Sequence, residues 1–392
     1  MVLHGSVPRP AVLTPGAATS HVRPVLLDAS SPEGLRDLEA LAASSSVSVV
    51  HDTIADQLDE LIRCEDPAVA HSTGSLAASR RRICGETPLW RWGTWVFYPW
   101  NGRLAHVLPR EGFHRVRTDR NRNKIDRAQQ RDLRGRRIGV IGLSVGNSAA
   151  VTLAMEGVGG SFRLADFDTV GLSNLNRLRA GVADLGVSKA VLAARQMFEV
   201  DPYLDIEVFT DGLTEESIGP FFDGVGSTRP LDLLVEECDT VWAKVAAREY
   251  ARRRGVPVLM DANDRGLLDV ERFDREPHRP LFHGRVGGST SSDVAKMNRG
   301  ELLSFLLAVV DEPRLSPAMR DAVGEIGRSL SSWPQLASGV MLGGALVADT
   351  ARRILLGEQI PSGRTYIDLD ELIPAMDPRI APAFVRVMEE VR

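Results

Sequence analysis

The chain has 392 residues, 43% hydrophobic and 25% charged, which is ordinary globular material with apolar content for two or three cores. A formal net charge of −5 gives no general attraction for nucleic acid or an anionic membrane, so neither is expected as a partner. The three cysteines, Cys64, Cys84 and Cys238, form no C-x-x-C pair, which excludes a thiolate zinc site and a disulfide framework and points to the cytoplasm.

Residues 1–33 are rich in Pro, Ser and Gly, lack the apolar run of a secretory signal, and predict a loosely ordered arm. Residues 34–115 predict a small α+β module. In it, GLRDLEALAA and TIADQLDELIRC read as helices, the second with Ile54, Leu58, Leu61 and Ile62 on one face and Thr53 as N-cap. VSVVHD is a short strand, and PAVAHSTGSLAASRRR is an exposed connection. LWRWGTWVFYPWNGRLAHVLP is a hairpin turning at Asn101-Gly102. Four of the six tryptophans fall between 90 and 100, as anchors of a small β-core or as an edge for a peptide partner.

The segment 117–136 is dense in arginine and helical in its second half. From there RIGVIG, SFRLADFD, DIEVFT, DLLVEEC and VPVLMDA read as strands separated by helices, which predicts right-handed crossovers. The fold class is therefore α/β, a Rossmann-like, doubly wound, mainly parallel sheet over 116–372 with the small module in front. Beyond 262 come helices at 299–310 and 335–356, a strand-like RTYIDLDEL and a helical tail over 373–392. SGVMLGGALVADTARRILL, broken by Asp349, Arg352 and Arg353, is a buried helix and not a membrane span.

Gly142-Leu143-Ser144-Val145-Gly146 raises two possibilities. It spells the G-x-S-x-G of a hydrolase elbow, for which His278 and His283 are the available histidines. It also fits the turn after the first strand of a nucleotide fold, where Gly142 and Gly146 let a ligand approach the backbone and Ser144 is a phosphate donor or a spacer. No α/β scaffold precedes the turn, which disfavours the hydrolase. The second strand ends in Asp166-Phe167-Asp168, suited to ribose hydroxyls, and Asn174, Arg177 and Lys189 follow where cations could meet a triphosphate.

GLSVG, DFDTVGLSNLNR, the lysine of VSKA and ECDTVWAK together resemble the ThiF/MoeB/HesA superfamily of adenylyltransferases, to which the ubiquitin-activating enzymes belong. The resemblance implies ATP and Mg²⁺ as cofactors and an acyl-adenylate as product. It implies that Asp166, with Asp168 beside it, binds the ribose, that Asn174 and Arg177 contact the phosphates, that Lys189 holds the α- and γ-phosphate region, and that Asp239 binds Mg²⁺. Lys244 matches a basic position of the family pattern. The resemblance also implies a homodimer in which Arg120 or Arg122 reaches across to the partner's site. The family's zinc-binding C-x-x-C pairs are absent here, and no cysteine follows Cys238, which reads as a core thiol. That departure favours an amine or internal amide as acceptor and a peptide or small metabolite of bacterial biosynthesis as the carboxylate. DRGLLDVERFD is similar to ThiF-like proteins fused to nitroreductase domains. The alternatives are an inactive ThiF-like scaffold or sensor that keeps nucleotide affinity and, disfavoured by the cations, an NAD-dependent oxidoreductase.

Overall fold

The computed structural model describes residues 21–67, 73–226 and 229–373. Two sheets organise them. The first has four strands, β1 (Val25–Leu27), β2 (Val49–Asp52), β3 (Thr94–Tyr98) and β4 (Arg103–Val107), in the order β1-β3-β4-β2. β3 and β4 form the antiparallel hairpin expected at Asn101-Gly102, and Gly102 has a φ of +68° that only glycine adopts freely. β2 joins β4 in parallel, and its other edge is unpaired among the described residues.

Several local expectations change. The arm ends early, because Val25–Leu27 pairs with β3; residues 1–20 lie outside the described residues, as does 374–392 of the expected helical tail. The expected connection after residue 67 contains a helix, Thr73–Cys84, with 68–72 outside the described residues. Thr53 makes no capping bond to the helix Ile54–Glu65; Asp52 Oδ1 instead accepts from the Ile54 N–H at 3.2 Å. Of the clustered tryptophans only Trp95 is buried in the module, stacked on His106, while Trp90 is exposed and Trp100 Nε1 donates to Glu199 Oε1 at 2.7 Å.

The second sheet has seven strands: β5 (Arg137–Ile141), β6 (Ser161–Ala165), β7 (Asp205–Phe209), β8 (Leu233–Glu236), β9 (Val258–Ala262), β10 (Leu267–Glu271) and β11 (Gly363–Tyr366). Their order is β11-β10-β9-β8-β5-β6-β7, with β5 to β9 parallel and β10 and β11 antiparallel. This is the doubly wound, mainly parallel Rossmann-like sheet expected from the strand and helix rhythm, extended by a β9–β10 hairpin that was not anticipated. β5 and β6 are buried runs with no alternation, as strands covered on both faces must be. One core packs Ile138, Val140, Phe162 and Leu164 under the helices Gly146–Glu156, Lys189–Val200 and Ala337–Leu355. The other packs Ile141, Ala165 and Leu234 under the helix Val241–Arg254.

The small sheet docks on the end of the helix Lys189–Val200. Tyr203 Oη donates to Leu108 O at 2.7 Å, and Asp201 receives His114 Nε2 at 3.0 Å and Arg117 Nη2 at 3.1 Å. Among the described residues, no helix is long and apolar enough to cross a membrane. The chain winds from β5 outward to β7 and then returns to place β8 on β5's other side. That reversal opens a crevice beyond the carboxyl ends of β5 and β8, where ligands of such sheets bind.

Candidate functional site

A cavity of about 1200 Å³ occupies this crevice. Single-ligand pockets are roughly 300–1,000 Å³, so this one has room for more than one small molecule. Its first wall is the turn after β5. Gly142 has a φ of +81°, and a Cβ there would stand 2.6 Å from the Glu237 carbonyl; a Cβ on Gly146 would stand 3.0 Å from Val140 Cγ1. Both glycines are thus required by the protein's own packing of turn on strand, a different reason from the ligand approach expected of them. Ser144 lines the cavity with a buried Oγ that finds no partner among the described residues. Among the described residues no histidine lines the cavity: His278 is exposed and His283 pairs with Asp269 at 2.8 Å, so neither serves the hydrolase elbow as its base.

The second wall carries the charged groups. Asp166, at the end of β6, is buried and accepts from the Leu143 N–H at 2.6 Å and the Asp168 N–H at 2.8 Å, which ties it to the glycine turn. Burial pushes its carboxyl up, with those two N–H groups opposing. Lys189 opens the next helix and, almost fully buried, gives Nζ to Asp168 Oδ2 at 2.7 Å. Arg177 sits in the loop between them, held by Ser173 O and Asn176 Oδ1, with its Nε unpartnered among the described residues. Burial holds its guanidinium below the usual range, and Asp239 partly offsets this. Asn174 Oδ1 accepts from the Gly171 N–H at 2.8 Å and so shapes the loop that presents Arg177.

Asp239 is exposed to the cavity just past β8, at the start of the helix Val241–Arg254. Among the described residues no cluster of three or more His, Cys, Asp or Glu could cage a metal. Asp239 is one of several carboxylates on this cavity, and a carboxylate so placed suits Mg²⁺, which is held by one or two carboxylates together with phosphates and water. Gly142, Ser144, Asp166, Asp168, Asn174, Arg177, Lys189 and Asp239 therefore share one cavity. Gly146 supports it from behind. Lys244 does not face it; Nζ is buried on Glu236 at 3.1 Å. Cys238 lies beside Asp239 with Sγ on Glu236 Oε1 at 3.1 Å, and burial pushes its thiol well up, which is the state of an inert thiol.

Arg120 and Arg122 stay away from this cavity. They lie, exposed, in the turn at the far end of the helix Gly146–Glu156, where Asn121 Nδ2 donates to Glu156 O at 3.0 Å and Arg122 pairs with Asp119 at 3.3 Å. Sequence reasoning missed the third wall. Asn263, Asp264 and Arg265 in the β9–β10 turn, Trp333-Pro334-Gln335, and Asp368 to Glu371 all line the cavity. Arg265, at a left-handed φ of 56°, binds these pieces together: Nε donates to Asp368 Oδ2 at 2.6 Å, Nη1 to Arg314 O at 3.1 Å, and Nη2 pairs with Glu371. The only available signal was a polar run directly after a buried strand.

Comparison with known proteins places the chain in a family. The model of the ThiF family matches residues 118–373. The chain is 44% identical over 283 residues to the uncharacterized protein MT1398 of Mycobacterium tuberculosis, covering 72% of this chain and 39% of that protein. It is 28% identical over 191 residues to the molybdopterin-synthase adenylyltransferase of Haemophilus influenzae, covering 48% of this chain and 72% of that one. The chain thus spans well under half the length of the first of these relatives. Among solved structures, E. coli tRNA N6-threonylcarbamoyladenosine dehydratase superposes with a TM-score of 0.43 at 18% identity, covering 62% of this chain and 95% of that chain. Because the family match takes in both the glycine turn and the polar run that closes the crevice, this chain belongs to the ThiF family.

Proposed function

We propose that the protein is an ATP- and Mg²⁺-dependent adenylyltransferase that activates a carboxylate as an acyl-adenylate for attack by a nitrogen nucleophile. The observation that carries this is the gathering of Asp166, Arg177, Lys189 and Asp239 with the Gly142 turn on one cavity at the sheet's reversal point. A relative named as an adenylyltransferase points the same way.

In this reading the Asp166 carboxylate, already oriented by the Leu143 and Asp168 amides, takes the ribose hydroxyls. Asn174 and Arg177 contact the phosphates, and Lys189 exchanges Asp168 for a phosphate oxygen. Attack of a carboxylate on the α-phosphorus builds charge on the equatorial oxygens and on departing pyrophosphate, and the two cations lower that cost. Asp239 would hold Mg²⁺, which neutralises phosphate charge when bound. The edge of β2 that is unpaired among the described residues, with Val49 and Val50 exposed, favours an acid presented by a peptide that adds a strand there; a small metabolite acid of bacterial biosynthesis is the other class. Three free cysteines favour a reducing, cytoplasmic setting. A homodimer would give Arg120 and Arg122, which do not line the cavity of their own chain, a site to reach.

A nucleotide-binding scaffold or sensor without turnover is the second reading, favoured by the capture of Lys189 by Asp168. ATP–pyrophosphate exchange with a panel of carboxylic acids and peptides separates the two. Arg177→Ala and Asp239→Ala should each lower exchange by about 10²-fold or more in folded protein. Unchanged exchange in both variants removes the site assignment, and ATP binding with no exchange for any acid favours the scaffold.

A further inference from the structure

A smaller pocket of about 150 Å³ adjoins the main cavity, and the two share Val145, at the head of the helix Gly146–Glu156, with Asp239 and Trp333. The acids Glu237 and Asp264 belong to the same shared stretch, so the mouth between the two spaces is polar. The walls that the main cavity does not share are of another kind. They are built from Met260 on β9, Leu267 on β10, Leu306, Val309 and Val310 on the helix Arg299–Val310, and Tyr366 on β11. Three charged residues also stand there, and each has its charge turned elsewhere. Lys244 Nζ is buried on both oxygens of Glu236 at 3.1 and 3.2 Å. Asp261 has both carboxyl oxygens closed off, with Oδ2 so near the helix Ala337–Leu355 that it leaves no room for a Cβ on Gly343. Arg314 lays its guanidinium over the Tyr366 ring, 3.8 Å from the centroid.

Interiors close over voids larger than a water molecule, and the few that persist are apolar or filled. A cavity of about 150 Å³ lined by aliphatic and aromatic side chains stays dry and holds benzene. The volume therefore suits one ring or one branched chain, and it falls well below the roughly 300 Å³ or more of a pocket for a whole small molecule. A charged group would lose its hydration on these walls with no free counter-charge to meet. We propose that this pocket seats the apolar side group of the acid being activated, a single aromatic ring or a branched aliphatic chain, and so selects carboxylates of that kind. The part the carboxylate plays rests on the adenylation reading above: it stays at the polar mouth beside Asp239 while the side group turns inward. The last residue of a peptide and a small free acid both offer this chemistry.

The test uses the full chain and a graded set of acids: propionate, isocaproate, hydrocinnamate and, as a doubly charged control, glutarate. Ligand-observed NMR titrations should show isocaproate and hydrocinnamate binding roughly tenfold or more tighter than propionate and glutarate. A crystal soaked in hydrocinnamate should place the ring against Met260 and Val309. Val310→Phe, which fills the pocket from a half-buried position, should remove the preference. Equal binding of the set, a preference that survives the filled pocket, or a wild-type soak with no ring in the pocket overturns the proposal, the last even if the variant misfolds. N-acetylleucine separates the two sources: binding tighter than isocaproate assigns the acid to a peptide's last residue, and weaker binding assigns it to a small free acid. An ATP titration of the same wild-type protein checks the adenylation reading by itself: absence of ATP binding sinks that reading and leaves the side-group preference standing.

Discussion

Gly343 lies inside the helix Ala337–Leu355, where glycine costs about 1 kcal/mol against alanine. A Cβ at that position would stand 1.4 Å from Asp261 Oδ2, and one on Gly344 would stand 2.4 Å from Ser148 Oγ. The usual effect of the substitution therefore changes sign. Gly343→Ala should lower stability by about 2 kcal/mol, and Asp261→Ala in the same chain should recover most of the loss. Denaturant titration of wild type, both single variants and the double variant decides it; simple additivity would place the clash elsewhere. The glycines show how far residue-level reading goes. The turn at Gly142 was legible because a buried strand runs straight into it. The Glu237 backbone that forbids a side chain there comes from a distant strand, and no local pattern announces it.

At the scale of elements, the junction between the two sheets hangs on Asp201, at the end of the helix Lys189–Val200. It is 2% exposed, and it accepts from His114, Arg117 and the Tyr203 N–H. Burial by itself would raise this carboxyl; His114 and Arg117 outweigh it and hold it below 3.8. A carboxyl lowered by folding contributes stability above its unfolded value of about 3.9 and loses it as pH falls through the folded value. Asp201→Asn should thus cost about 3 kcal/mol at pH 7, and the gap to wild type should narrow well below pH 4. Equal gaps in urea titrations at pH 7 and pH 3 would rule out an ionic origin.

The same scale explains which elements were legible. β5 and β8 announce themselves as short, mostly apolar runs bounded by turn residues, since both of their faces are covered, and β6 does so despite the buried Arg163 at its centre. β10 does not, because Leu267-Leu268-Asp269-Val270-Glu271 places acids where a buried strand should be apolar. Asp269 and Glu271 are buried all the same, paired with Arg364, His283 and Arg248. Helix Thr73–Cys84 was missed because Gly, Ser and three consecutive arginines blur its apolar stripe. In the site, Asp166, Asn174, Arg177 and Lys189 were legible from their places after the second strand, whereas Asp239 came only with the family resemblance. The wall drawn from 263–371 was not, since it is assembled from loops that meet only in three dimensions.

For the whole molecule, the position of Arg120 and Arg122 bears on assembly. Both lie beyond the far end of the helix Gly146–Glu156, so any catalytic part they play needs a second copy of the chain. Sedimentation should then show a dimer, and a mixture of an Arg120→Ala/Arg122→Ala protein with Asp239→Ala should regain about a quarter of wild-type exchange, since half the dimers pair unlike chains with one intact site each. No recovery on mixing, with both parents inactive and dimeric, would confine the two arginines to a structural part. The crevice itself carries a consequence for folding. Its lining runs from Ile141 to Glu371, with the Arg265 clasp drawing Asp368 and Glu371 onto it. The basin is incomplete until 368–371 fold back onto the β9–β10 turn, so whatever ligand it takes rewards only the form in which the Arg265 clasp is made.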